Sequence, residues 1–238
     1  MTADDQEAGA KRRSIRSYVL RAGRMTDGQV RAMEQLWPRY GVASGHERLD
    51  LRELFGRDAP RTLEIGFGNG DNLAALAAMH PERDFLGVEV HAPGVGHLLR
   101  RAAEAGLTNL RVIRQDAVEV LSERIEPGSL DMILVLFPDP WHKKRHHKRR
   151  LVNRDFTRLA ASRLASGGTL QLATDWTPYA EWMREVLDAS PDLRNQATDG
   201  GYMPGNPGRV RTRFEARGER LGHAVHDLCY ERTTGGGG

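Results

Sequence analysis

The sequence predicts an α/β protein built on one doubly wound, mostly parallel sheet. Three observations carry that expectation. Short apolar runs alternate with helical stretches from Arg61 to Ala189, the rhythm of strand–helix–strand units. The most apolar run, Leu130 to Phe137 (LDMILVLF), is continuous rather than alternating, as in a central parallel strand covered on both faces. A glycine-rich turn directly follows the first apolar run, at the kind of strand end where such sheets bind ligands.

Taken in order, residues 1–35 lack an apolar period and read as a basic, flexible arm. Leu36 to Phe55 carries aromatic and leucine anchors and reads as a packed lead-in. Strands are expected at Arg61–Gly66, Asp84–Val90, Leu110–Asp116, Leu130–Phe137 and Gly168–Ala173. Helices are expected at Asp71–His80, Val95–Ala105, Arg149–Leu164 and Pro178–Ala189, with a short one after the third strand. His223–Arg232 reads as a last strand holding Cys229 as a buried core thiol, and residues 233–238 as a flexible Gly tail. Right-handed crossovers then put the C-terminal ends of the parallel strands on one edge.

Composition narrows the function classes. A single cysteine excludes an internal disulfide framework and a CxxC site. No apolar run approaches the ~20 residues of a membrane span, and the polar, acidic start has no apolar leader core, so a cytoplasmic protein without membrane contact is expected. The net charge of +3 is concentrated: His142 to Arg150 (HKKRHHKRR) holds six Lys/Arg, without which 29 Lys and Arg face 32 Asp and Glu, a net of −3. Such a basic run in an otherwise slightly acidic chain points to a polyanion met at one place.

The chemistry begins at LEIGFGNG. Gly66, Gly68 and Gly70 follow a strand and open a helix, so main chain lies bare to a ligand. The spacing is G-x-G-x-G, and Asp71 stands where a dinucleotide site has its third glycine. An acid at that helix start repels a pyrophosphate. Glu64, Glu89 and Asp116 sit at three successive strand ends. A carboxylate after the second strand suits paired ribose hydroxyls, and Gln115-Asp116-Ala117 offers an acceptor to an adenine amino group. An adenosine held by acids without phosphate donors points to S-adenosylmethionine, whose sulfonium is cationic. Asp139 lies between Pro138 and Pro140, in a rigid turn beside the place of the methyl group. His142, His146 and His147 have ligand-like spacing, but their cationic neighbours oppose a divalent ion, and no metal is expected. Asp175 reads as a second strand-end acid or as a helix N-cap. Gly200–Gly208 reads as a flap.

The run PDPWHKKRHHKRR following LEIGFGNG resembles the tRNA (guanine-N7-)-methyltransferase family. Further matches are RSYVLRAGRMT at Arg16–Thr26, TDW at Thr174–Trp176 and TRFEARGERLGHAVHDLCYER at Thr212–Arg232, so the likeness spans nearly the whole chain. It implies a single Rossmann-like class I methyltransferase domain over residues 36–232, with an antiparallel last strand. It implies S-adenosylmethionine as cofactor, tRNA as partner, 7-methylguanosine in the variable loop as product, and a monomer or homodimer. At matching positions it implies that Glu64, Glu89, Asp116 and Asp139 line the cofactor site beside Gly66, Gly68 and Gly70. Asp139 is then the catalytic acid. Lys143, Asp175, Thr212, Arg213, Phe214 and Glu215 form the site for the target nucleotide, and Arg145, His146, His147, Lys148, Arg149 and Arg150 contact RNA. Two other classes are a methyltransferase for another substrate and a non-catalytic RNA-binding protein on the same fold. The basic run beside Asp139 argues against the first, and the intact acids and glycines against the second.

Overall fold

Eight strands form one sheet in a computed structural model that describes residues 16–18, 24–205, 209–210, 215 and 224–233. The expected features at Thr212, Arg213, Phe214 and His223, in most of the arm before residue 24 and in the tail after 233 lie outside the described residues. The strands are β1 (Gly41–Val42), β2 (Arg61–Ile65), β3 (Asp84–Val88), β4 (Leu110–Ile113), β5 (Leu130–Leu136), β6 (Leu164–Thr174), β7 (Leu193–Asn195) and β8 (His226–Arg232). Their order is β1-β4-β3-β2-β5-β6-β8-β7. Every pairing from β1 to β6 is parallel, and β8 runs antiparallel to both its neighbours. The direction of the order reverses at β2, the switch point where doubly wound sheets bind ligands.

The helices are α1 (Asp27–Tyr40), α2 (Leu51–Phe55), α3 (Asp71–Met79), α4 (Ala92–Glu104), α5 (Ala117–Glu119), α6 (Arg154–Arg163) and α7 (Thr177–Asp188). Two apolar cores flank the sheet. One packs β2, β5 and β6 residues such as Leu63, Ile133 and Leu172 against α6 and α7 through Phe156, Tyr179 and Met183. The other packs Phe85, Val112 and Leu134 against α1, α3 and α4 through Tyr40, Leu73, Val95 and Leu98. Central β5 contributes to both, which is why its sequence is apolar without alternation.

The structure corrects the arm. Residues 27–35 belong to α1, which opens with a capping box in which Thr26 and Gln29 each bond the other's backbone N–H. Met33, Leu36, Trp37 and Tyr40 stand at i, i+3, i+4 and i+7, a helical stripe cut in two by a boundary at residue 35. The stripe faces α4, to which Gln29 Nε2 donates at Pro93 O (3.0 Å). The helix expected over Arg149–Leu164 is also corrected. The basic run forms a 3₁₀ turn, Lys144–Arg149, and α6 starts only after Asn153, whose Oδ1 accepts from Phe156 N at 3.0 Å. Strand β6 begins directly at Leu164, and its register with β5 shifts between Leu130 and Met132.

Candidate active site

The parallel strands deliver five acids to one sheet edge. Glu64 is the penultimate residue of β2, and Glu89 follows β3 directly. Asp116 lies beyond β4, Asp139 beyond β5 and Asp175 directly after β6. The five do not share one cavity.

A cavity of about 280 Å³ opens between the β2 turn and the end of β5, lined by Glu64, Gly66, Phe67, Gly68, Asn69, Asp71, Asn72, His91, Leu136 and Phe137. Gly66 and Gly68 have φ of +68° and +58°, and a Cβ on either would stand in open space, so bare main chain faces the cavity. Gly70 (φ +75°) serves another purpose: its missing Cβ would lie 2.7 Å from Leu98, so it seats α3 on α4. Glu64 is buried, and Asn72 Nδ2 donates to its Oε2 at 2.9 Å. Burial pushes the Glu64 carboxyl up to about 8; the Asn72 hydrogen bond opposes that rise and nearby Glu89 adds to it. Glu89 braces the glycine turn. Its Oε2 accepts from Gly68 N at 2.9 Å, and its Oε1 accepts from Val90 N and His91 N at 2.7 and 2.9 Å.

Among the described residues, no Lys or Arg lines this cavity. Acids, bare backbone and the apolar Phe67, Leu136 and Phe137 suit a cation with an alkyl thioether body and disfavour a pyrophosphate. The residues present therefore fit S-adenosylmethionine and not a dinucleotide. Asp71, expected to repel phosphate, also pairs with Arg101.

Asp116 lines a second cavity of about 370 Å³, with Arg16, Ser17, Lys148 and Arg149 among its walls. It caps α5 by accepting from Val118 N at 2.8 Å and is hydrogen-bonded to the Tyr18 hydroxyl, whose pKa burial and Asp116 raise. Gln115 is spent on structure, exchanging bonds with Gly45 and accepting from Arg124.

The turn after β5 is strained. Phe137 (φ 51°) and Trp141 (φ 49°) are the two positive-φ non-glycine residues among those described, and they bracket Pro138-Asp139-Pro140. Asp139 is exposed. The turn docks on the neighbouring loop, where the His142 ring meets Trp176 edge-on at 4.5 Å. Trp176, not Asp175, occupies the N-cap position of α7. Glu215, expected at the nucleotide, is buried in an ion network. Arg209 binds Asp227 through Nε (2.7 Å) and Nη2 (3.1 Å) and Glu215 through Nη1 (2.5 Å) and Nη2 (3.0 Å). The Arg209 guanidinium also lies over the Phe137 ring at 5.5 Å.

The basic run divides by burial. Lys143, Lys144, Arg145 and Lys148 are exposed. Arg149 stacks on Trp141 at 4.0 Å and donates to Arg16 O and Tyr18 O, and Trp141 Nε1 donates to Ser17 O at 3.1 Å, so the turn grips residues 16–18. Arg150, expected to contact RNA, is 4% exposed and does not reach the surface. It donates to Pro140 O at 3.0 Å and lies over Tyr179 and Trp182, holding the strained turn from beneath. The three histidines have different neighbours, His142 with Trp176, His146 with Trp141 and His147 with Arg150. Cys229 is buried in β8, as expected, and burial pushes its thiol up to about 11. Part of the expected flap is pinned, since Met203 bridges to Asp227 and Tyr202 packs on His226.

Sequence reasoning missed Asn72, Gly94, Arg209 and Asp227. Asn72 had one readable signal, an amide on a helix face otherwise made of Leu73, Ala74, Leu76 and Ala77.

Strand order, glycine turn and an acidic cavity at the switch point define an α/β methyltransferase domain. Solved methyltransferases share this fold: the antibiotic-resistance methyltransferase Kmr (TM-score 0.57, 16% identity, covering 83% of this chain and 98% of that one) and the 16S rRNA methyltransferase KamB (0.55, 16%, 82% and 99%). The family described as "Putative methyltransferase" matches residues 58–228. The chain is 53% identical over 230 residues to the tRNA (guanine-N(7)-)-methyltransferase of Stutzerimonas stutzeri (strain A1501), covering 97% of each. It is equally similar to that of Shewanella pealeana, over 231 residues, 97% of this chain and 98% of that one. The chain belongs to the tRNA (guanine-N(7)-)-methyltransferase family.

Proposed function

We propose that the protein transfers a methyl group from S-adenosylmethionine to N7 of a guanine in the variable loop of tRNA, in the cytoplasm, as a monomer or homodimer. The observation that carries this reading is the cavity lined by Glu64 and Asp71, and among the described residues by no Lys or Arg, standing next to a strained turn that presents an exposed carboxylate and then four exposed cations.

Glu64, Glu89 and the main chain at Gly66 and Gly68 would hold the cofactor, with Asp116 serving the adenine. Bound there, S-adenosylmethionine supplies an electrophilic methyl group on a positively charged sulfur. Guanine N7 carries an in-plane lone pair that is free at neutral pH, so the chain has no proton to remove from the nucleophile. Its work is orientation and electrostatics. Asp139 accepts from the N1–H and amino edge of guanine, which selects guanine over adenine and favours the positive charge that grows on the methylated ring. Asp175, at the end of the adjacent strand, acts from the other side. Lys143 and the segment Thr212–Phe214 would contact the nucleotide, while Glu215 would act on that segment only through its bonds to Arg209. Lys144, Arg145 and Lys148 neutralise phosphates around it.

Incubation with unmodified tRNA and methyl-labelled S-adenosylmethionine, followed by nucleoside analysis, tests the reading. Label in 7-methylguanosine is expected. Label in another nucleoside, or none, overturns it.

A further inference from the structure

A row of aromatic side chains crosses the sheet edge that carries Asp139 and Asp175. His142, three residues after Asp139, meets the Trp176 ring at 4.5 Å with the two planes at 78°. Trp176 directly follows Asp175, and the next residue, Thr177, is hydrogen-bonded through Oγ1 to His226 Nε2 at 3.1 Å. His226 opens β8 opposite Thr174, the last residue of β6, and its ring meets Tyr202 at 4.7 Å with the planes at 53°. His142 is exposed, and Trp176, Tyr202 and His226 are half-buried.

Trp176 and Tyr202 rest against the apolar core under α6 and α7, and each has a histidine ring against it. Neither pair is stacked face to face. An edge or tilted contact engages at most one face of one ring, so each pair keeps the shape of a platform for a further planar group. Cations stand at both ends of the row. Lys143, Lys144 and Arg145 directly follow His142 and are exposed, and the Arg184 guanidinium lies 5.6 Å from the Tyr202 ring. Trp141 differs, since Arg149 already lies over its ring at 4.0 Å. Half-open rings set between cations suit unpaired nucleotides, which bring both a base face to stack and a phosphate to neutralise. A double helix keeps its base faces to itself and has no use for the rings.

We propose that His142–Trp176 and His226–Tyr202 form a base-stacking platform for the unpaired nucleotides flanking the methylated guanine. Turning that guanine out of its stack leaves its neighbours short of a stacking partner, a loss that opposes methyl transfer. The platform replaces the missing base with protein rings and so holds the RNA in the opened form. The inference rests on the reading of Asp139 and Asp175 as flanking the target guanine.

The test pairs protein variants with altered tRNA, so that loss of a ring and loss of a base are compared in one cycle. His142→Ala and His226→Ala should each weaken tRNA binding by about 5-fold or more, the lower end of what one base–aromatic stack contributes. The salt slope should stay unchanged, because a stacking ring releases no counterions. His142→Phe should restore binding. On transcripts with an abasic site directly 5′ or directly 3′ of the target guanine, the loss in each alanine variant should disappear for one of the two. If His226→Ala does not fold, His226→Gln, which keeps a hydrogen-bonding atom without a ring, takes its place. Undiminished tRNA affinity in the variants, or an equal loss on intact and on both abasic transcripts, overturns the inference. Failure of the unmodified protein to form 7-methylguanosine in intact tRNA would instead overturn the functional reading, so the two failures are distinguishable.

Discussion

Gly94, near the start of α4, stands directly against the carbonyl of Gly68: a Cβ on Gly94 would lie 2.0 Å from that oxygen. The contact is with backbone, so no side-chain rotation relieves it. Gly94 thus lets α4 support the glycine turn from below at the closest possible approach. Gly94→Ala should force the turn outward, lowering stability by about 1–3 kcal/mol as overpacking does. Thermal unfolding should show a drop of several degrees. Calorimetry should show S-adenosylhomocysteine bound at least about 5-fold more weakly, since 1 kcal/mol of misplacement costs that much.

Glu89 has two duties. It accepts three backbone hydrogen bonds around the glycine turn, and on the proposed function it also meets the ribose hydroxyls of the cofactor. Glu89→Ala strands the amides of Gly68, Val90 and His91 and should weaken cofactor binding by about 1–3 kcal/mol. Glu89→Gln retains one acceptor oxygen and should lose less. Calorimetric titration of both variants checks the order.

The Glu64 carboxyl, raised from 4.5 to about 8 by burial, makes stability fall as pH rises. Between those values the folded protein keeps a proton that the unfolded chain has released. The stabilisation is complete below about 4.5 and lost as pH passes about 8, with a slope of up to about 1.4 kcal/mol per pH unit. Glu64→Gln should flatten that part of the stability curve in chemical denaturation at pH 5 to 9. A cation in the cavity favours the carboxylate, so cofactor binding near pH 7 should release a proton. Calorimetry in buffers of different ionisation enthalpy measures that release, and Glu64→Gln should abolish it.

Strand β5 is legible because burial on both faces writes a continuous apolar run, and the glycine turn because glycine adopts the positive φ of residues 66 and 68 without the strain other residues meet there. The edge position of Glu64, Glu89, Asp116, Asp139 and Asp175 follows from strand ends and right-handed crossovers alone. Two strands escape sequence reading. Gly41–Val42 is a strand only because it pairs with Val112 and Ile113, and Leu193–Asn195 because it pairs with β8. Neither has a local pattern. The fate of individual cations is equally nonlocal: Lys148 and Arg150 look alike in the run, and the 3₁₀ turn sends one outward and one beneath Pro140.

That division sets a double expectation. Arg150→Lys loses the planar stack over Tyr179 and Trp182 and should destabilise the fold by about 1–3 kcal/mol. Its tRNA salt dependence should be unchanged. Lys148→Ala should leave the melting temperature alone and lower the salt slope of tRNA binding by about one unit. Melting curves and tRNA affinities across a salt series separate the two.

Asp139 carries the sharpest catalytic expectation. It is exposed in a turn whose two flanking residues, Phe137 and Trp141, both hold positive φ, a conformation worth about 1–3 kcal/mol of strain each. The surroundings maintain it: Arg150 bonds Pro140 O, Arg209 covers Phe137, and Arg149 covers Trp141. Three buried or half-buried cations therefore hold one short loop in place around a single carboxylate. On the proposed function, that carboxylate meets a guanine ring whose positive charge grows only as the new bond forms. Its charge then matters more in the transition state than in the bound complex. Asp139→Asn keeps size and hydrogen-bonding reach, so folding, cofactor affinity and most tRNA affinity should persist. Single-turnover methyl transfer should slow by about 100-fold or more. A rate within a few-fold of the unmodified protein would reassign Asp139 to shaping the turn, and Asp175 would become the carboxylate to test next.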